Sequence, residues 1–312
     1  MKPVKTIIDG NSIGYLSNQI GVKLRAGDQE TQAVFYSLRT LRDLMQRYNS
    51  GGMLIVWDGR SWRHSIYSDY KGTREATATQ REMRESYKTQ RPFLLRAINA
   101  LGITQATASN LEADDLAALL AERYVSAGEK VRLITRDHDW LQLIREDVTW
   151  VDHQTNERIS LAKFEEFTGY ETPEQFVESK ALMGDSGDNI KGVGGIGEKK
   201  AQQLLQIWGS VEAFFVDANP AATYAEHATG KFPKAFADFH ASTERQEAYW
   251  FNMRLVNLRD TSFIPAIEKL KVVKGRYNEK AFEQVCKELG FHSILSDFAG
   301  FTLPFRPKEK EL

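Results

Sequence analysis

Thr6-Ile7-Ile8-Asp9-Gly10 is a short β-branched run that stops on an aspartate and a glycine. The construction returns at Met53-Leu54-Ile55-Val56-Trp57-Asp58-Gly59, and again where Val131–Thr135 runs into Arg136-Asp137-His138-Asp139. A fourth apolar run follows at Val148–Val151. Helical patterns fill the intervals, which is the rhythm of a mostly parallel sheet flanked by helices. The pattern therefore predicts an α/β domain over residues 1–170. Gln32–Tyr48 carries Val34, Leu38, Leu41, Leu44 and Met45 on one face, and a second helix, Leu111–Tyr124, is expected to open after an N-cap at Ser109-Asn110.

From Thr172 the chain reads as helices joined by Gly-rich turns through Lys180–Trp208, then a less legible tail with helices at Glu244–Leu258 and Glu279–Leu289. Residues 171–312 are accordingly expected to form a helical region. The 312 residues suffice for one large domain and a smaller appended unit. No apolar run approaches the roughly 18–20 residues that span a bilayer, so no membrane partner is expected. The start of the chain lacks the pattern of a secretory signal, and the one cysteine, Cys286, fits a reducing compartment; a cytoplasmic setting is the expectation.

Lys and Arg number 41 against 42 Asp and Glu, so charge points to nucleic acid only where it is locally uneven. Between Arg60 and Arg96 nine basic residues face four acidic ones. Within that stretch Gly72–Arg91 is helix-compatible, yet its large apolar residues are only Met83 and Tyr87, too few for a buried stripe. Exposure and mobility are expected there.

The acids carry the chemical argument. Asp9, Asp58, Asp137 and Asp139 stand at the carboxyl ends of predicted strands, the edge of an open parallel sheet where ligands bind. Glu112, Asp114 and Asp115 open a helix, and Asp185 and Asp188 sit at a break between helices. Taken singly, the helix-opening acids read as dipole stabilisation, and Asp137 and Asp139 equally as turn and cap residues. Nine carboxylates sharing one cleft, however, require a cation to neutralise them. An all-oxygen donor set without matching His or Cys selects Mg²⁺ or Mn²⁺ over Zn²⁺.

Two features suit phosphate. Lys191-Gly192-Val193-Gly194-Gly195-Ile196-Gly197-Glu198-Lys199-Lys200 matches a helix-hairpin-helix pattern over about 180–208: Gly192, Gly194, Gly195 and Gly197 permit tight turns, a helix N-terminus supplies free N–H groups, and Lys191, Lys199 and Lys200 add charge. Ser68-Asp69-Tyr70-Lys71-Gly72-Thr73-Arg74 brings Lys71 and Arg74 close behind Asp58, with Tyr70 able to stack on a base. The arginines from Arg81 onward read individually as a solvated helical face.

In this order along the chain, IIDGNS, VWDG, YKGTR, LEADDLAA, ITRDHDWLQLI and GDSGDNIKGVGGIGEKKA resemble the flap endonuclease and 5′-3′ exonuclease superfamily. Within it the likeness is to the 5′ nucleases of tailed bacteriophages and the 5′-nuclease domain of bacterial DNA polymerase I. It covers Lys5–Trp208 and thins after Val211. The resemblance implies a PIN-like α/β domain, a helical arch at about 72–96 that admits a single-stranded 5′ flap, and a helix-hairpin-helix that holds duplex DNA. It further implies two Mg²⁺ ions, replaceable by Mn²⁺: one held by Asp58, Glu112 and Asp114 near Asp9, the other near Asp137, Asp139, Asp185 and Asp188, with Asp115 serving either through water. Lys71 and Arg74 match the basic pair placed on the cleaved phosphate, Arg81 and Arg84 fall in the arch, and the hairpin is where such proteins hold K⁺.

The function implied is structure-specific hydrolysis of DNA near a free 5′ end, at a flap, a nick or a duplex end, by a monomer acting in replication or repair, with RNA-primer removal from RNA–DNA hybrids within reach of the same site. Two rivals remain on the residues alone. A toxin-like RNA nuclease would need neither hairpin nor arch, and a catalytically inactive structure-specific DNA-binding protein would not need an acid at every expected metal position.

Overall fold

The computed structural model describes residues 4–20, 22–48, 52–74 and 77–307; Glu75 and Ala76 of the expected arch lie outside them. The chain begins with β1 (Val4–Asp9), α1 (Gly10–Gln19), the small hairpin β2 (Arg25–Ala26) and β3 (Gln29–Glu30), and α2 (Gln32–Tyr48). It continues through β4 (Met53–Trp57), α3 (Ala78–Ala100), β5 (Thr104–Thr107), α4 (Ala113–Ser126), β6 (Lys130–Ile134), β7 (Val148–Val151) and β8 (Arg158–Ile159). Helices α5 (Phe164–Thr168) and α6 (Pro173–Met183) lead into the ribbon β9 (Gly184–Asp185) and β10 (Ile190–Lys191). After it come α7 (Glu198–Trp208), α8 (Val211–Val216), α9 (Pro220–His227), α10 (Lys234–Ala241) and α11 (Thr243–Val256). The chain ends with β11 (Lys271–Val273), α12 (Glu279–Glu288), α13 (His292–Ser296) and α14 (Phe298–Thr302).

The sheet runs β11-β5-β4-β1-β6-β7-β8, parallel from β5 to β7 with antiparallel edges. Because β1 is covered on both sides, successive residues serve opposite cores: Ile7 joins Val56 and Leu133 under α4, whereas Ile8 joins Ile55 and Ile134 under α1 and α2. The chain leaves β1 to one side through β4 and β5, then returns to its other side at β6. Strand order thus reverses at β1, and a crevice opens beyond the carboxyl ends, next to Asp9.

Helix α2 buries the five apolar residues expected of it. Helix α4 differs in its start. Its N-cap is Glu112, while Ser109 and Asn110 bond instead to the backbone at Glu268 and Ala266. The arch expectation also needs correction. Exposure holds for the first turns of α3, but from Tyr87 the helix packs against the body through Tyr87, Gln90 and Leu94. Gln90 is fully buried because it replaces lost water, accepting from the Ala33 amide and donating to Asn18. Gly14 of α1 lies directly beneath Tyr87, and a Cβ there would collide with its ring. Gly14→Ala is expected to destabilise the fold by about 1–3 kcal/mol, measured by urea denaturation.

The tail returns to the sheet. Strand β11 pairs with β5, and Phe282, Val285, Phe301 and Phe305 join the core that holds Ile8 and Leu38. Thr172 caps α6 with Pro173 in its first turn, and Gly184, at φ +77°, ends it. Aromatic residues Phe214, Phe236, Phe239 and Tyr249 join α8, α10 and α11. Among the described residues no helix is long and apolar enough to cross a membrane.

Glu178 of α6 ties this helical region together by accepting from the Val211 amide at 3.3 Å and the Tyr249 hydroxyl at 3.2 Å. Burial pushes its carboxyl up to about 7. A carboxyl whose pKa is raised on folding opposes the fold once ionised, so this group costs stability progressively between pH 4.5 and 7. Glu178→Gln keeps an acceptor and removes the charge. The expected result is a gain of about 1–3 kcal/mol at pH 8 and little change at pH 4, read from unfolding curves at both.

Candidate functional site

A pocket of about 290 Å³ opens at the crevice, and six of the nine sequence-selected acids line it: Asp9, Asp58, Asp114, Asp137, Asp139 and Asp188. Lys71, Arg74 and Arg136 are its cations. Each acid owes its place to local structure. Asp9 ends β1 and caps α1 through the Ser12 amide at 2.9 Å, with a further bond from Thr135. Asp58 follows β4 and accepts from the Ala113 amide at 2.9 Å, tying strand end to helix start. Asp114 accepts from the indole of buried Trp140 at 2.6 Å, and Asp137 caps the short helical turn that follows β6.

Crowding of these acids is costly. Burial, reinforced by Asp58, raises Asp9 to about 6. Burial, reinforced by Asp139, raises Asp137 to about 7. Asp114 is driven well above the ordinary range by burial and Asp137, and Asp58 is raised by burial and Glu112. Among the described residues no three Asp, Glu, His or Cys side chains stand close enough to cage an ion as placed. The acids instead line one pocket as mutually repelling, under-compensated oxygens, and such a donor set fits hard divalent cations.

The other three acids are not part of the pocket lining. Glu112 is buried at the pocket's edge and accepts from Ser61, Arg63, Tyr70 and Lys71. Burial alone would raise it, yet Lys71 and Arg63 hold it down at about 2. Asp185 braces the turn before Asp188 by accepting from the Gly187 and Asp188 amides, and lies 3.6 Å from Lys180. Asp115, expected to act at the metals through water, is fully buried. It accepts two guanidinium bonds from Arg63 and one from the Glu112 amide, so its oxygens are turned inward and committed to the scaffold.

Tyr70 likewise departs from expectation. At 3 % exposure it offers no face to a base; its hydroxyl lies within hydrogen-bond distance of both Glu112 and Asp188. Lys71 adopts φ +58°, a conformation few side chains take, and its amide donates to the Asp188 carbonyl at 2.9 Å. Arg74 donates to the Asp188 carboxylate at 2.6 Å. Both cations are thus held across the pocket mouth by the segment that follows α6.

Two residues of the site escape sequence reasoning. Lys180 on α6 pairs with Asp139 and Asp185 across the pocket edge. Its only signal is a position five residues before the Asp185 cluster. Arg63 reads in the sequence merely as one of nine basic residues, yet it is 3 % exposed and binds Glu112, Asp115 and the Leu255 carbonyl. A basic residue between Trp62 and Ile66 is the available hint.

The hairpin between α6 and α7 has the expected glycine turns: Gly194 and Gly195 take positive φ, and a Cβ on Gly192 would strike the Met183 carbonyl. Gly197 caps α7, leaving its first amides open, and Lys191 and Lys199 are exposed. Lys200 donates to the Gly195 carbonyl at 2.7 Å, and Arg245 to that of Gly194 at 3.3 Å. Those two oxygens have cationic partners, so K⁺ held at this hairpin would need its other carbonyls or the withdrawal of Lys200 and Arg245. Arg81 and Arg84 lie in the first turns of α3, where Arg84, Met83 and Arg74 line a smaller cleft against Tyr15.

Comparison with known proteins agrees with this geometry. Residues 5–169 match the model for the "5'-3' exonuclease, N-terminal resolvase-like domain", and residues 171–273 that for the "5'-3' exonuclease, C-terminal SAM fold". DNA polymerase I of Lactococcus lactis is 33% identical over 264 residues, covering 78% of this chain and 28% of the polymerase. The thermostable DNA polymerase I of Thermus thermophilus is 33% identical over 213 residues, 67% of this chain and 24% of that protein. The chain therefore spans about a quarter of the length of these relatives. The bacteriophage T5 D15 flap endonuclease, solved with DNA and metal ions, superposes with a TM-score of 0.67 at 22% identity, covering 91% of this chain and 98% of that one. The catalytic core of Rad2 with DNA substrate gives 0.55 at 16% identity, with 98% and 93% coverage. With both family models matched in order, and the fold and acid-lined crevice in agreement, the chain belongs to the 5′-3′ exonuclease family of nucleases.

Proposed function

We propose that this protein is a structure-specific 5′ nuclease that hydrolyses DNA phosphodiesters near a free 5′ end with two divalent cations, Mg²⁺ or Mn²⁺. The observation that carries this reading is the pocket where Asp9, Asp58, Asp114, Asp137, Asp139 and Asp188 face Lys71 and Arg74. Asp58 and Asp114 would hold one cation near Asp9, with Glu112 joining them once Lys71 leaves it for phosphate. Asp137, Asp139, Asp188 and Asp185 would hold the other. Divalent cations held by these residues would supply Lewis-acid chemistry, an activated water and charge neutralisation at the leaving oxygen.

The chain's own groups do the rest. Lys71 and Arg74 move from carboxylate to phosphate as substrate enters, meeting charge that grows in the transition state. Lys180 steadies Asp139 and Asp185, and Arg63 keeps Glu112 ionised and aimed. Selectivity comes from shape: Gly192–Gly197 and the N-terminus of α7 hold duplex backbone, while α3 and α1 border the passage for a single strand, with Arg81 and Arg84 along it. No base-edge reader is needed, so binding is sequence-blind and weakens steeply with salt. The setting proposed is the cytoplasm, the assembly a monomer, and the substrates flaps, nicks and 5′ ends in replication or repair, RNA primers included.

A 5′-labelled flap duplex, a nicked duplex and a single strand, each with Mg²⁺ and with EDTA, test this. Mg²⁺-dependent release of the flap as one oligonucleotide is expected. If all substrates stay intact in Mg²⁺ and in Mn²⁺ while the flap is bound tightly, the hydrolytic reading is wrong and a binding protein replaces it.

A further inference from the structure

On the other flank of Asp58 from the acidic pocket lies a second cavity of about 400 Å³, between α3 and the edge strands β5 and β11. Asp58 borders both. The volume suits a small organic ligand. Its lining has a different chemistry from that of the acid pocket. Leu95, Ala106 and Val273 form an apolar wall. The Arg91 guanidinium lies 5.1 Å over the Trp57 ring, and this stack is braced by Gln105, which accepts from the Trp57 indole and donates to the Leu95 carbonyl. Arg91 is thereby held as a flat platform.

A flat guanidinium beside an apolar wall suits the face of a heterocyclic base. Exposed Lys271 stands at the rim, where an anionic group would lie; Arg96 at the same rim is already paired with Glu288. Bases stack readily on guanidinium planes.

We propose that this cavity is a nucleotide subsite, with a base laid on Arg91 against Leu95, Ala106 and Val273 and its phosphate met by Lys271. Because Asp58 is shared, the nucleotide bound here is contiguous with the phosphodiester in the acidic pocket; this last assignment rests on the nuclease reading. The subsite itself does not. It explains how a sequence-blind enzyme can grip an unpaired nucleotide beside the bond it cuts.

The test is a fluorescence titration of the full chain, in EDTA, with 2-aminopurine deoxyribonucleoside 5′-monophosphate. Saturable quenching is expected. Val273→Glu places a charge in the wall and is expected to weaken binding roughly tenfold. Lys271→Ala, a surface change that leaves the fold intact, is expected to weaken it about threefold. Lys130→Ala, at the opposite end of the sheet, serves as the charge-matched control and leaves affinity unchanged. Flap cleavage in Mg²⁺ is measured in parallel. Saturable binding lost in the cavity variants supports the subsite even when cleavage fails. No saturable binding, or equal affinity in all variants, overturns it even when cleavage is intact.

Discussion

Asp137→Asn is expected to reduce Mg²⁺-dependent flap cleavage by at least roughly a thousandfold, about 4 kcal/mol of barrier, without lowering the unfolding temperature. The two outcomes separate because Asp137 does two things. Its Oδ1 accepts from the Asp139 amide at 2.8 Å, and an asparagine carbonyl keeps that cap. Its charge, crowded by Asp139 and Asp9, has no structural use, since among the described residues no cation pairs with it directly. Removing the charge therefore spares the fold and leaves the pocket one anionic oxygen short of a divalent site. Rates from single-turnover cleavage beside thermal unfolding curves decide it. An unimpaired rate would remove Asp137 from the metal set, whereas a collapse in stability would make its role structural.

The second large effect falls on Arg63. Arg63→Ala leaves Glu112 and Asp115 buried, with fewer hydrogen bonds and facing no guanidinium, and breaking such a group by removing one partner costs about 3–5 kcal/mol. It also frees the Leu255 carbonyl that Arg63 Nε holds at 2.6 Å, loosening the end of α11 from the pocket wall. Arg63→Lys restores a charge but not the fork that binds Asp115 through two nitrogens, so less than half the loss should return. Urea denaturation followed by fluorescence and by circular dichroism measures this. A loss below about 1 kcal/mol would mean that the buried acids find other partners.

Much of the site is legible in the order of residues alone. Asp9, Asp58 and Asp137 follow apolar β-branched runs, and a run that ends on an acid must deliver it to the carboxyl edge whatever the rest of the chain does. The face of α2 is legible for the same reason, since its periodicity is local. Local patterns mislead where a residue's role depends on distant chain. Tyr70 reads as a stacking residue because nothing nearby in sequence buries it; Glu112 and Asp188, which do, are 42 and 118 residues away. Tyr87 and Gln90 read as exposed because the stripe they join includes a buried amide network centred on Asn18 rather than apolar side chains.

What the sequence by itself determined is the inventory and its local placement: which strands end in carboxylates, where glycine permits the hairpin between α6 and α7, and which helices have a face to bury. These follow from periodicity and backbone stereochemistry over a few residues. Tertiary structure alone decided which acids remain under-compensated. Asp115 and Glu112 stand three residues apart from one another and close to Asp114, yet packing turns both toward Arg63 and leaves Asp114 in the pocket. The pairing of Lys180 with Asp139, and the return of β11 and α12 to the sheet, were decided the same way. A charge acts over several ångströms in every direction, and only the folded chain sets which charges fall within that distance.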